Sequence, residues 1–125
     1  MGANATVVQE AYTAFGQGDI PGLLKLLSDD VEWLAPGTLP QGGEYHGKAE
    51  VVTFFEAIGG AWDTFTPDLE AFGEISDELV VGVVRNDGIL RASGPSGYGA
   101  VHVFTVRDGR ITRFREYTDL GLALV

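Results

Sequence analysis

The hydrophobic period of this chain changes near its midpoint. Before Thr64, apolar residues recur mostly at three- and four-residue spacing; after it, that spacing gives way to short β-rich runs. Val8, Ala11, Tyr12 and Phe15 form a first helical stripe, which Gly16-Gln17-Gly18 stops. Asp19 caps a second helix with Pro21 in its first turn, and Leu23, Leu24, Leu26 and Leu27 supply an apolar face that predicts helix to about Ser28. Val31 to Ala35, closed by Pro36-Gly37, reads as a first strand. A long loop at 36–47, with four glycines and two prolines, leads into a third helix carrying Val51, Val52, Phe54, Phe55 and Ile58. Gly47 is its expected cap, with Glu50 at the third helical position.

The second half predicts strands near 65–75, 79–85, 89–92, 98–106 and 110–119, arranged as an antiparallel meander. Asp87-Gly88 and Asp108-Gly109 are hairpin signals, Ser76-Asp77 supplies another reversal, and Ser93-Gly94-Pro95-Ser96-Gly97 reads as a mobile loop. Helices ahead of a meander give the α+β class, with three N-terminal helices on one face of a curved, mostly antiparallel sheet. A bent sheet over helices leaves a conical hollow between the layers.

The whole chain, 1–125, fits one domain, and 45% hydrophobic residues suffice for a core. The longest apolar runs, such as Leu79 to Val84, fall far short of the roughly 18 to 20 residues that cross a bilayer, so no membrane association is expected. Met1-Gly2-Ala3-Asn4-Ala5 lacks a basic start and an apolar stretch, which makes a cytoplasmic location the expectation and the Asn4-Ala5-Thr6 sequon accidental. With no cysteine there is no disulfide framework and no thiolate site. Net charge is −10. Residues 1–84 hold 14 acids against Lys25 and Lys48, a net −12, and residues 85–125 hold six arginines against four acids, a net +2. Such a surface repels phosphate backbones, and the arginines at 107, 110, 113 and 115 have no aromatic interleaving for base stacking, so nucleic acid is not an expected partner.

The last hairpin sets which residues face the hollow. A three-residue loop, Arg107-Asp108-Gly109, would pair Val106 with Arg110, His102 with Phe114, Phe104 with Thr112 and Ala100 with Glu116, all on one face. The opposite face then carries Val101, Val103, Arg113, Arg115 and Tyr117, together with Asp119 as a structural partner for the arginines. A two-residue loop at Asp108-Gly109 would instead pair His102 with Arg115 and turn Glu116 to the other face. Arginines prefer water, which favours the first register and puts His102, Phe104, Phe114 and Glu116 inside.

Tyr12-Thr13-Ala14-Phe15, Gly18-Asp19, Asp29-Asp30-Val31-Glu32-Trp33, Pro36-Gly37, Tyr45-His46-Gly47, Phe54-Phe55, His102-Val103-Phe104 and Asp108-Gly109-Arg110-Ile111 through Tyr117-Thr118-Asp119 together resemble the SnoaL-like, ketosteroid-isomerase-related proteins of the nuclear transport factor 2-like superfamily. The resemblance implies a cone-shaped α+β barrel with a cavity between helices and sheet, frequently dimeric through the convex sheet face. It implies no single activity, since members include isomerases, polyketide cyclases, epoxide hydrolases, dehydratases and proteins that only bind. The oxyanion tyrosine and carboxylate base of the steroid isomerases fall about where Ala11 and Ala35 stand, so both are altered. The histidine and carboxylate of SnoaL-type cyclases match His102 and Glu116 in place, with glutamate for the usual aspartate. The Asp-Arg-Asp cluster of limonene epoxide hydrolases has no convincing counterpart.

A carboxylate facing an apolar cavity loses hydration and becomes a better proton acceptor. Glu116 is the candidate base, with His102 donating to a developing enolate or relaying the proton, a pairing suited to abstraction α to a carbonyl. Equally, the two can satisfy each other in a polar seam. Trp33, Phe55, Trp62, Phe104 and Phe114 are candidate cavity walls, with Phe55 and Trp62 on the third helical stripe; ordinary core packing is the alternative for each. Tyr12 and Tyr45 can offer a hydroxyl to a ligand or spend it on backbone. His46 reads as a surface or loop-anchoring residue, with gating of the pocket as the alternative, and Asp29-Asp30-Glu32 as a solvated turn; with only two, distant histidines no metal site is expected. Gly97-Tyr98-Gly99 lacks a strand-glycine-helix context, so no nucleotide cofactor, and no cofactor at all, is implied. The expected function is cofactor-free proton transfer on a small apolar carbonyl compound, as isomerase, cyclase or dehydratase. A hydrophobic binding protein and a structural homodimer are the alternatives, with Leu120 to Val125 crossing the interface or closing the cone.

Overall fold

A computed structural model describes residues 2–118; Asp119 and Leu120 to Val125 lie outside them. Helix α1 (Ala3–Gly16) buries Ala5, Val8, Ala11 and Ala14 at the spacing of its apolar stripe and ends where Gly18 turns left-handed at φ 70°. The Asp19 carboxylate accepts from Gly22 N at 2.9 Å and starts α2 (Ile20–Leu24). This helix ends at Leu24 rather than Ser28. Leu26 O accepts from Ile111 N at 2.7 Å, and Leu27, fully buried, stands in register with Ile111. Pairing with the last strand overrides the leucine stripe, and β1 accordingly runs Leu27–Ala35.

The long loop holds an unexpected short strand, β2 (Gly43–His46), antiparallel to β1 with Trp33 opposite Tyr45. Gly42 permits its tight entry: a Cβ there would lie 1.9 Å from Pro36 O. Helix α3 (Gly47–Ala61) follows, with Glu50 Oε1 accepting from His46 N at 2.8 Å, so the cap falls on His46, one residue before the expected Gly47. Trp62 does not extend the helical stripe but opens β3 (Trp62–Glu74).

Strand β4 (Leu79–Leu90) runs straight through Asp87-Gly88, which is no turn. A Cβ on Gly88 would meet Thr64 O at 2.1 Å, so this glycine serves close strand approach, and the chain reverses at 91–93 instead. Apart from Ser93, which lies in that reversal, the segment expected to be a mobile loop belongs to β5 (Gly94–Arg107), where Leu90 pairs with Gly94 and Asp87 with Gly97. Strand β6 (Arg110–Thr118) completes one sheet of order β2-β1-β6-β5-β4-β3, antiparallel except for β1 beside β6.

The β5–β6 turn overturns the expected register while keeping the expected face. Arg107 pairs with Arg110 across a two-residue turn, with both Asp108 (φ 52°) and Gly109 (φ 75°) left-handed, the geometry whose twist matches a hairpin. Alone, that turn would have sent Glu116 outward. A bulge at Thr112 then shifts the pairing, so that Val106 opposes Ile111 but Thr105 opposes Arg113, Phe104 opposes Phe114 and His102 opposes Glu116. Neither the Ala100–Glu116 nor the His102–Phe114 pairing exists. The extra residue restores parity and returns His102, Phe104, Phe114 and Glu116 to the face covered by the helices. Val8, Leu27, Val31, Val51, Val80 and Ile111, all fully buried, fill the space between layers.

Candidate functional site

Alternation along β5 and β6 buries Tyr98, Ala100, His102 and Phe104 with Phe114 and Glu116, and leaves Val101 and Tyr117 exposed on the outer face, where Arg113 lies 3.4 Å from Glu32. His102 and Glu116 are 7% and 8% exposed, and His102 Nε2 lies 2.8 Å from Glu116 Oε2. From α1, one turn beyond Val8, Tyr12 reaches across so that its hydroxyl sits 2.7 Å from His102 Nδ1. Gly82, opposite His102 on β4, makes that reach possible, because a Cβ there would lie 3.0 Å from the Tyr12 hydroxyl. With Nε2–H donating to the Glu116 carboxylate, Nδ1 of that tautomer accepts from the Tyr12 O–H. Burial first, and the negative charge of Glu116 second, hold the Tyr12 phenol far above its ordinary range and keep it a donor.

This chain of three side chains forms part of the wall of a cavity of ≈ 70 Å³. The sequence candidates Trp33, Phe55, Phe104 and Phe114 also line it. Trp33 stacks on Phe114 with ring centroids 4.1 Å apart, and Phe55 packs edge-on to Trp33 at 5.8 Å. Two candidates are placed elsewhere. The Tyr45 hydroxyl donates to Gln41 O at 2.9 Å, which anchors the loop, and Trp62, on β3, donates its Nε1–H to Gln41 Oε1 at 3.2 Å; neither lines the cavity. His46 is exposed at the entry to α3.

Three polar residues escaped the sequence reading. Gln41, fully buried, joins Trp62 to the Tyr98 hydroxyl, to which its Nε2 donates at 3.2 Å. Tyr98, like Tyr12, has its phenol pushed up by burial and then by the Glu116 charge, an effect the Gln41 bond partly opposes. Asn86 is 2% exposed and lines the cavity from β4. Gln41 sat in a loop without period, and Asn86 was hidden because Asp87-Gly88 ended the expected strand at 85. Only the buried pattern Val80, Val84, Asn86 would have exposed it.

Among the described residues no three His, Cys, Asp or Glu side chains converge as a metal site, and no helix is long and apolar enough to cross a membrane. The model of the SnoaL-like domain matches residues 8–114. No curated protein matches the chain. Solved structures do. An NTF2-like protein of unknown function from Burkholderia pseudomallei superposes with a TM-score of 0.88 at 28% identity, over 99% of this chain and 96% of that one. A putative polyketide cyclase from Xanthomonas campestris gives 0.76 at 23%, over 97% and 93%. A Mycobacterium tuberculosis protein in complex with estradiol-17beta-hemisuccinate gives 0.78 at 23%, over 94% of each chain.

Proposed function

The chain belongs to the SnoaL-like domain family, and from that premise we propose that its cavity binds an apolar, carbonyl-bearing small molecule on which Glu116, held in place by His102 and Tyr12, moves a proton without a cofactor. The observation that carries this reading is the continuous Tyr12–His102–Glu116 hydrogen-bond chain, with links of 2.7 and 2.8 Å, on the wall of an otherwise largely aromatic cavity. With Oε2 held by His102, Glu116 Oε1 takes a proton from the carbon next to the carbonyl, leaving an enolate and a neutral carboxylic acid. The proton returns from Glu116 to another atom of the same molecule, which is an isomerisation or the first half of a cyclisation or dehydration. His102, oriented by Tyr12, holds the carboxylate in one rotamer throughout. Similar folds include a putative polyketide cyclase and a protein in complex with estradiol-17beta-hemisuccinate, which supports reading the cavity as a small-molecule site.

Glu116→Gln keeps the shape and removes the base. Turnover of any substrate found by screening carbonyl compounds should fall at least about 100-fold, the usual share of a general base. Retained turnover removes the proposal. A second reading has its own observation: both ring nitrogens of His102 are already paired within the protein, as in a binding protein whose polar groups are self-satisfied. Ligand binding with no conversion by the native chain would select it. On the outer face, exposed Val83, Val101 and Tyr117 align across three strands, which fits a homodimer surface.

A further inference from the structure

The cavity has two polar ends. Along β4, Asn86 stands four residues from Gly82, the partner of His102, which separates the two positions by about 13 Å of strand. At the His102 end, Tyr12, His102 and Glu116 satisfy one another. At the far end, Gln41 uses both halves of its amide, on Tyr98 and Trp62. Asn86 differs: its Nδ2 is buried without any hydrogen-bond partner, on a residue that lines the cavity. Asparagine is depleted in strands, and a buried amide without a partner destabilises the fold, so the position is explained by what the cavity holds rather than by packing. The other unpaired polar atom on a cavity-lining residue, Trp33 Nε1, lies away from this end, in register with Phe114. An orphan donor calls for an acceptor, which selects a carbonyl or ether oxygen and rejects an ammonium group.

We propose that Asn86 is a ligand-anchoring residue, its amide N–H donating to an acceptor oxygen at the end of a ligand whose other end meets Glu116. This rests on reading the cavity as a small-molecule site and names the feature the ligand must carry there: an acceptor oxygen at the end away from the carboxylate. The anchor orients the ligand lengthwise and so decides which of its carbons faces the carboxylate.

The test compares 2-naphthol with 6-acetyl-2-naphthol, the second having an added acceptor oxygen at the far end of the same rigid ring, by calorimetric titration of the full chain. The native protein should bind the acetyl compound about tenfold more tightly, the value of one well-formed hydrogen bond. Asn86→Leu should abolish the preference and keep or raise Tm because an unsatisfied amide is gone. Asn86→Asp, an isosteric change to an acceptor, should abolish the preference too. No preference in the native chain, or a preference that survives both substitutions, overturns the proposal, as does a lowered Tm in Asn86→Leu with the preference intact. Should Glu116→Gln leave turnover untouched while Asn86→Leu removes the preference, the proton-transfer reading falls and the anchor stands. The reverse pattern removes the anchor alone.

Discussion

Replacing Tyr12 by phenylalanine removes one oxygen from the buried chain and almost nothing else. The ring contacts persist, with His102 at 5.9 Å and Phe104 at 5.7 Å between centroids, so no cavity large enough to matter opens. What is lost is the O–H donated to His102 Nδ1 at 2.7 Å. Nδ1 belongs to a side chain only 9% exposed, so water does not readily replace the donor, and the cost is that of an unsatisfied buried acceptor, about 1–3 kcal/mol. For a chain of this length that corresponds to a Tm lower by roughly 4–10 °C. Chemical denaturation of the native chain, Tyr12→Phe, Glu116→Gln and the double variant measures the cycle. If the three groups act as one network, the coupling energy between Tyr12 and Glu116 should be about 0.5–3 kcal/mol even though the two residues are joined by hydrogen bonds only through His102. A single substitution that changes stability by less than about 0.5 kcal/mol, with additive effects in the double variant, would refute the network.

Other expectations follow from the same geometry. Gly82→Ala places a Cβ 3.0 Å from the Tyr12 hydroxyl and 3.1 Å from Leu69 Cδ1, so it should cost about 1–3 kcal/mol and displace Tyr12, read as loss of the Tyr12–His102 coupling in a cycle with Tyr12→Phe. Gly88→Ala meets backbone rather than a yielding side chain and should destabilise the fold by about 3 kcal/mol or more in urea titration. Tyr12 and Tyr98 have raised phenol ionisation in the folded state, so the folded chain keeps protons that the unfolded chain releases. Their contribution is whole below the ordinary value of 10.0 and is lost as pH rises above it, at up to about 1.4 kcal/mol per pH unit for each; Tyr12→Phe should flatten the alkaline limb of a stability profile. Val101→Asp, on the outer face, should leave the fold intact and convert a dimer to monomer in sedimentation velocity; a native chain that is monomeric at high concentration removes the dimer surface.

Much of the fold was legible because it depends on local period. The stripe Val8, Ala11 and Tyr12 marked α1, and Val51, Phe54 and Ile58 marked α3, since side chains three and four residues apart must share a helix face. The elements that were misread are those decided by partners remote in sequence. Leu27 looks helical until Ile111 pairs beside it, and Gly43–His46 looks like loop until β1 offers an edge. Asp87-Gly88 resembles a turn because nothing local reveals that Thr64 O must pass where a Cβ would stand. That error also hid Asn86.

The pairing of His102 with Glu116 shows the division most clearly. The sequence by itself determined parity: arginines at 113 and 115 belong in water, so the alternate residues Phe114 and Glu116 point inward. It also supplied Asp108-Gly109, whose tolerance of left-handed backbone permits the two-residue turn that forms in place of the expected three-residue loop. Only the tertiary structure reconciled the two, with a bulge at Thr112 that no local preference announces, because it turns Phe114 onto Trp33, a partner remote in the chain. The same long-range packing carried Tyr12 into reach of His102 over the missing side chain of Gly82, a contact spanning ninety residues that no period in the sequence encodes.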